Sequence, residues 1–465
     1  MGADDSESPN LLDKLSLAMA TKRLCSAIYV SEREEAEACK NSATTFLGSK
    51  ARRAMDAGAL RIEIDRERRM ATGTWESIET RAKFFDDQGC VILPEGSEGV
   101  FFTPCVVESS LPPADSLPWP IGDLPSESSP PADIDADKVE QAVAMAFSNP
   151  DDCTAAYLAV HRGQIIAEQY GPGVHKDMQL ESWSMGKSIT ATLVGILMRD
   201  GHFRLDDPAP VPQWQNSLAD PRAGIRIMDL LRMSSGLLFT HASEDAERRR
   251  LSFVPGHGDH SLGYAAPIDV FQFSESRPAE HPPNTVGRYR NCDPLVLGSI
   301  VKRTVEAKGD VYLTWPQKAI FDRIGIRRQV LETDPFGNFI LTGFDFGTAR
   351  NWARLGLLYL QDGVLNGERI LPEGFVDFVS APAPAWDNGE YGGQFWIGHP
   401  ALPQGAYCMR GVDGQEVAIV PSHDLVLVRM GHTRGGSVFA ERRNRAHELI
   451  VQAIDPTWSA SPARS

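Results

Sequence analysis

Strand-like text stands at both ends of residues 137–465, with helical text between, and that split limits how the chain can fold. Ala155–Tyr170 alternates apolar and polar residues around Arg162-Gly163, the pattern of a hairpin. Ala406–Arg410, Gln415–Val420 and Leu425–Met430 read as three more strands, joined at Asp413-Gly414 and at Pro421-Ser422-His423-Asp424, and Ser437–Ile454 reads as a closing helix. Two strands early and three late fit one antiparallel five-stranded sheet built from both ends of the domain, with helices packed against it. The expected class is therefore α+β, an α/β sandwich.

A chain of 465 residues exceeds one typical domain. Between positions 106 and 136, seven prolines (112, 113, 118, 120, 125, 130 and 131) stand among Ser, Asp and Glu, which reads as an extended linker. The expected division is 1–105, a small N-terminal α+β domain; 106–136, the Pro-rich linker; and 137–465, the main domain. The first part reads as an amphipathic helix over Leu11–Leu24, a short strand over Ser26–Val30, a charged helix over Ser31–Ala57, and strands at Leu60–Ile64 and Val91–Leu93. It carries no catalytic constellation. Structural cover for the main domain is the expectation, with partner binding as the sharper alternative.

The chemistry is concentrated in Glu181-Ser182-Trp183-Ser184-Met185-Gly186-Lys187-Ser188, at the start of an apolar run. If a helix opens at Ser184, residues i and i+3 share a face and Lys187 lies beside the Ser184 hydroxyl. A serine is a poor nucleophile unless a neighbouring group takes its proton, and an amine does so when held neutral. The motif alone is weak, because Ser299-Ile300-Val301-Lys302 repeats it inside an ordinary helix face, Leu295–Val305. A phosphate-binding reading of Gly186-Lys187-Ser188 fails, since position 181 is Glu where a glycine is required. A second element does follow. Tyr289-Arg290-Asn291 is the only Tyr-x-Asn in the chain. A tyrosine beside a lysine can act as general base, and Asn291 can hold a substrate amide.

Ser-Met-Gly-Lys followed about a hundred residues later by Tyr-Arg-Asn resembles the class C β-lactamase-like serine hydrolases, which include carboxylesterases, D-amino-acid peptidases and 6-aminohexanoate-dimer hydrolases. Leu205-Asp206-Asp207-Pro208, the Ile227–Gly236 segment, Ala349–Leu360 and Gly367–Gly374 look like further segments of that family, in its order, over roughly residues 135–455. The resemblance implies a serine β-lactamase/penicillin-binding-protein-like fold, with a helical subdomain carrying the nucleophile helix and the site in the cleft beside the sheet. It implies Ser184 as nucleophile, Lys187 as its activator, Tyr289 as base and Asn291 as a substrate contact. The family's third motif, Lys-Thr-Gly or His-Thr-Gly, is missing in literal form. Its expected equivalent is Met409-Arg410-Gly411, before the turn at Asp413-Gly414, with Val412 or a neighbour supplying a backbone N–H to the oxyanion hole. His432-Thr433-Arg434 is a decoy, because it lacks the glycine and follows a strand. Arg410 is a candidate for gripping a substrate carboxylate, with pairing to an acidic neighbour as the alternative. Trp183 is a candidate pocket wall or a packed core residue.

Composition narrows the partners. A net charge of −16 disfavours nucleic acid and anionic membranes, and no apolar run approaches the ~18 residues of a membrane-spanning helix. The acidic start, Met-Gly-Ala-Asp-Asp-Ser-Glu, is unlike a secretory signal; a cytoplasmic location is expected, or a periplasmic one if a signal was trimmed. Seven cysteines (25, 39, 90, 105, 153, 292 and 408) show no metal spacing and fit a reducing compartment, with a Cys25–Cys90 pair left open. His257 and His260 form the nearest approach to a metal pair, in a Gly-rich loop. No metal or cofactor is expected.

The expected function is hydrolysis of small amide, peptide or ester bonds through a Ser184 acyl-enzyme, with short-chain esters or small amides bearing a carboxylate favoured over cephalosporins. A β-lactamase or D-peptidase is the alternative within the superfamily, and an inactive scaffold the alternative from another class. Oligomeric state is open.

Overall fold

The computed structural model describes residues 8–45, 47–125, 133–217, 219–241, 258–432 and 439–460. Its central feature is a fully antiparallel sheet of six strands. In spatial order these are β7 (Trp396–Ile397), β8 (Tyr407–Arg410), β9 (Glu416–Val420), β10 (Leu425–Gly431), β5 (Thr154–His161) and β6 (Gln164–Tyr170). Five are the strands legible in the sequence; β7 adds two residues at the edge. The late hairpin β9–β10 pairs with the early hairpin β5–β6 through Leu427↔Ala159 and its neighbours.

Both faces of this sheet are covered, which explains the nearly unbroken apolar text of β5 and β10. Leu425 and Leu427 point to one layer, with α2 (Ala136–Ala146) and α7 (Phe439–Ile454). Val426 and Val428 point to the other, with Trp352, Leu355 and Leu358 of α6 (Ala349–Leu360). That second core continues into the helical subdomain, where α3 (Gly186–Arg199) and α5 (Cys292–Ala307) pack through Leu193, Ile196, Leu297 and Ile300.

The N-terminal region departs from its sequence reading in three places. The helix α1 runs over Ser8–Tyr29 without a break, so Ser26 to Tyr29 is helix and Val30 a turn where a strand over Ser26–Val30 is expected. Its buried side chains contact both the small sheet below and the main domain beside it, so the apolar text lacks a helix's one-sided rhythm. The charged stretch Ser31–Ala57 is broken: helix over Glu35–Ala38, a π-turn over Cys39–Ala43, helix over Ser49–Asp56. The meander has four strands, β1 (Leu60–Asp65), β2 (Met70–Trp75), β3 (Ile78–Phe84) and β4 (Cys90–Ile92). The polar face of β2 and β3 hides them in the sequence. A Cβ on Gly73 of β2 would strike Thr21 and Leu17, so the glycine lets α1 lie close on the sheet.

This region is bound to the main domain by buried charge. Lys22 pairs with Glu332 at 2.7 Å, Arg23 with Glu181 at 3.0 Å, and Ser26 donates to Glu332 at 2.7 Å. The Pro-rich segment is also anchored over its described length. Ser109 and Ser110 donate to Asp322, Trp119 is buried in the main core, and Arg354 donates to the Pro120 and Gly122 carbonyls at 2.6 and 2.7 Å.

Candidate active site

Ser184 lies in a one-turn 3-10 segment, Trp183–Met185, and the α-helix starts after it, at Gly186. The helix therefore opens two residues later than the sequence reading placed it. Trp183 holds a left-handed backbone, φ 55°, which turns the chain sharply just before the serine. Lys187 lies in the first turn of α3 and is 1% exposed. Its Nζ donates to Ser184 Oγ and to the Thr342 carbonyl, each at 3.0 Å.

Burial pushes the Lys187 ammonium well below its usual range, and Asp345 opposes that shift only in part. Asp345 is itself buried, and desolvation raises its carboxyl to about 8, so at neutral pH it supplies little negative charge to hold the lysine proton. Desolvation thus shifts the amine beside Ser184 toward the neutral form a base requires.

Tyr289 covers the pair from the other side. Lys187 Nζ stands 4.9 Å from the centre of its ring, and the phenol shares a hydrogen bond with Ser184. Desolvation raises the phenol above its usual value against that hydrogen bond, so Tyr289 is a protonated donor at neutral pH. Trp396 stacks on it at 5.3 Å. Arg290, 1% exposed, donates to the Leu237 and Met233 carbonyls at 2.6 and 3.0 Å and holds the loop that carries Tyr289.

The structure adds one residue that no motif signalled. Tyr264, in α4 (His260–Ala265), donates to the Thr342 carbonyl at 2.6 Å and accepts from Asn291 Nδ2 at 2.8 Å. It ties Asn291 to the carbonyl that also receives Lys187. Its sequence surroundings, Ser261-Leu262-Gly263-Tyr264-Ala265, carry no spacing that would have singled it out.

The third motif's equivalent reaches the same place. A Cβ on Gly411 would overlap the Ser182 carbonyl oxygen and stand 2.9 Å from Trp183 Cβ, so the end of β8 abuts the nucleophile turn. The link to β9 is a 3-10 turn over Val412–Gly414, with Asp413 at φ 66°. Val412 is exposed at the cleft rim. Arg410 lines the cleft, but its Nε donates to Glu416 Oε2 at 2.7 Å. Arg410 thus does both: it lines the cleft, as a substrate contact would, and it pairs with an acidic neighbour. Trp183 also lines the cleft, yet it is buried among Arg23, Tyr264 and Phe344, which makes it mainly a core residue.

The second Ser-x-x-Lys copy is structural. Ser299 Oγ lies within hydrogen-bond distance of Glu275 and of the Val296 carbonyl, while Lys302 donates to Asn338 at 2.8 Å. His432 is buried and absent from the cleft lining; Thr433, Arg434 and His257 lie outside the described residues. Among the described residues one histidine–carboxylate group has ligand-like proximity: the ligand atoms of His399, Glu416 and His447 lie within 4.8 Å of one another. Arg410 and Arg443 stand 2.7 and 3.4 Å from the same carboxylate, so its charge is already balanced by guanidinium.

A serine 3.0 Å from a buried lysine and beside a tyrosine, in a cleft of about 940 Å³, is an arrangement suited to acyl transfer. The beta-lactamase family model matches residues 150–452, and the chain belongs to that family and is a serine hydrolase. A 6-aminohexanoate-dimer hydrolase of Paenarthrobacter ureafaciens is 26% identical over 300 residues, covering 60% of this chain and 73% of that protein. Two solved structures share the fold. A penicillin-binding protein homolog from Caulobacter crescentus is 14% identical, with a TM-score of 0.52, covering 70% of this chain and 99% of its own. A family VIII carboxylesterase is 14% identical, with a TM-score of 0.52 and the same coverages of 70% and 99%. Among the described residues no helix is long and apolar enough to cross a membrane.

Proposed function

We propose that this chain cleaves small amide or ester substrates through an acyl-enzyme on Ser184. The observation that carries the reading is the buried Lys187 amine at 3.0 Å from Ser184 Oγ, in surroundings that lower its pKa. Lys187 takes the hydroxyl proton as Ser184 Oγ attacks the carbonyl carbon. The phenol of Tyr289 is the proton donor to the departing amine or alkoxide, and it recovers its proton through Lys187. Lys187 keeps its expected role as the activator of Ser184, whereas Tyr289, expected as the base, is here the resting acid. The N–H groups of Ser184 and Val412 receive the oxyanion, a reading supported by the close approach of Gly411 to the nucleophile turn. Asn291 contacts the substrate's amide or ester group from the opposite rim. Water then attacks the acyl carbon and frees Ser184.

The dimer hydrolase relative puts linear amides among the substrates to assay first. Residues 1–105, 106–136 and 137–465 form part of this proposal as module, connector and catalytic domain, in a reducing cytoplasmic compartment. A fluorophosphonate probe should label Ser184, and Ser184→Ala should abolish both labelling and hydrolysis of p-nitrophenyl acetate, whereas Ser299→Ala retains both. Labelling at another serine, or loss in Ser299→Ala, would overturn the assignment.

A further inference from the structure

One wall of the cleft comes from outside the beta-lactamase match. Leu12, Leu15, Ser16 and Met19 of α1 line the same cavity as Ser184 and Tyr289, whereas the family match begins at residue 150. Spacings of three and four put these residues on one helix face. The helix is fixed there, because Leu15 is buried against Ile92, Leu262 and Ala265, with Leu12 and Met19 packed alongside. Leu262 and Ala265 belong to α4, the helix that carries Tyr264, so α1 also backs the residue that links Asn291 to Thr342.

The character of the cavity follows from its lining. Trp396 and Val412 face it with aromatic and aliphatic surface. The two arginines on the lining already have carboxylate partners, Arg410 with Glu416 at 2.7 Å and Arg288 with Glu280 at 3.4 Å. A volume of about 940 Å³ stands near the top of the ~300–1,000 Å³ range of pockets that hold drug-sized ligands. A short, carboxylate-bearing substrate would leave most of that apolar surface unused.

We propose that α1 is a specificity element, and that the natural substrate carries a long aliphatic or aromatic group that lies against the Leu12–Ser16–Met19 face. This rests on Ser184 being the nucleophile, and the test separates the two ideas. Each methylene buried in such a site strengthens transition-state binding several-fold. Two ester series decide it with the full chain: p-nitrophenyl acetate to octanoate, and ethyl to octyl acetate. In at least one series kcat/KM should rise tenfold or more from the shortest to the longest member. Ser16→Trp, which fills the α1 side of the cavity, should cut that long-to-short ratio at least tenfold, and Leu12→Ala should cut it several-fold. Two flat or falling series, or a ratio within twofold of wild type in both variants, would overturn the role of α1. If Ser184 takes the fluorophosphonate label while both series stay flat, only the α1 proposal fails. If Ser184 takes no label and no ester is turned over, the acyl-enzyme reading fails and this one with it.

Discussion

Gly411→Ala is the smallest change that should separate the strand from the nucleophile. The glycine's backbone, φ −126° and ψ 164°, is one any residue adopts, so alanine brings no dihedral strain. The cost is steric. The added Cβ would overlap the Ser182 carbonyl oxygen and lie 2.9 Å from Trp183 Cβ and 3.1 Å from Gln415 Cβ, where ordinary contact starts at 3.4 Å. Relief requires the end of β8 to retreat on the order of 1 Å, and a misplacement of that size costs roughly 100-fold in rate. The adjacent Val412 N–H is the proposed oxyanion donor, and loss of one such donor costs about 10²–10³ in kcat. The expected result is a fall of about 100-fold or more in kcat for p-nitrophenyl acetate with little change in KM, because the lost bond forms fully only in the transition state. Overpacking should cost about 1–3 kcal/mol of stability, read by thermal melting. A variant that melts cooperatively and keeps kcat within threefold of wild type would refute the placement of β8 at the oxyanion.

The rate of Ser184 labelling by fluorophosphonate should rise with pH through the lowered Lys187 value and then level off, and Lys187→Arg should be inactive at every pH because guanidinium stays protonated. Stability shifts in the same direction: between the lowered folded value of Lys187 and its ordinary unfolded value the unfolded chain binds more proton than the folded one, so in that window this group makes folding more favourable as pH rises, and Lys187→Met should weaken that slope in pH-dependent melts. Burial alone would raise Glu416, but Arg443, His399 and Arg410 outweigh it and hold the carboxylate well below its usual range; its contribution is present at neutral pH and lost as pH falls through the lowered value. Glu416→Gln leaves two guanidinium groups without their shared carboxylate and should cost about 3–5 kcal/mol, measured by denaturant unfolding at pH 7.

The parts legible in sequence are those where one local rule governs. The β5–β6 hairpin was visible from Arg162-Gly163, the late strands from Asp413-Gly414 and Pro421–Asp424, and the serine and lysine from their spacing of three. The helix start was misplaced because Ser184 lies in a 3-10 turn that still keeps the i, i+3 pair within 3.0 Å, so the contact survived the wrong boundary. The α1 helix was cut short because a helix buried on several sides carries apolar residues at spacings that also suit a strand. The pairing of Arg410 was illegible because its partner, Glu416, is set by the hairpin register Arg410↔Glu416 and not by local spacing.

Tyr264 and the α1 wall were illegible for a different reason. Tyr264 acts through Thr342, 78 residues away, and α1 reaches the cleft over a separation of about 170 residues. No local periodicity encodes such meetings; the docking of α1 goes with the burial of Lys22, Arg23 and Ser26 against Glu332 and Glu181. Unpaired buried charges would cost several kcal/mol each, so these pairs fix where α1 can dock. The same docking that satisfies them sets Leu12, Ser16 and Met19 beside the nucleophile: Lys22, Arg23 and Ser26 continue the three-and-four spacing of that face, so the charge network further along the helix holds the α1 wall against the cleft.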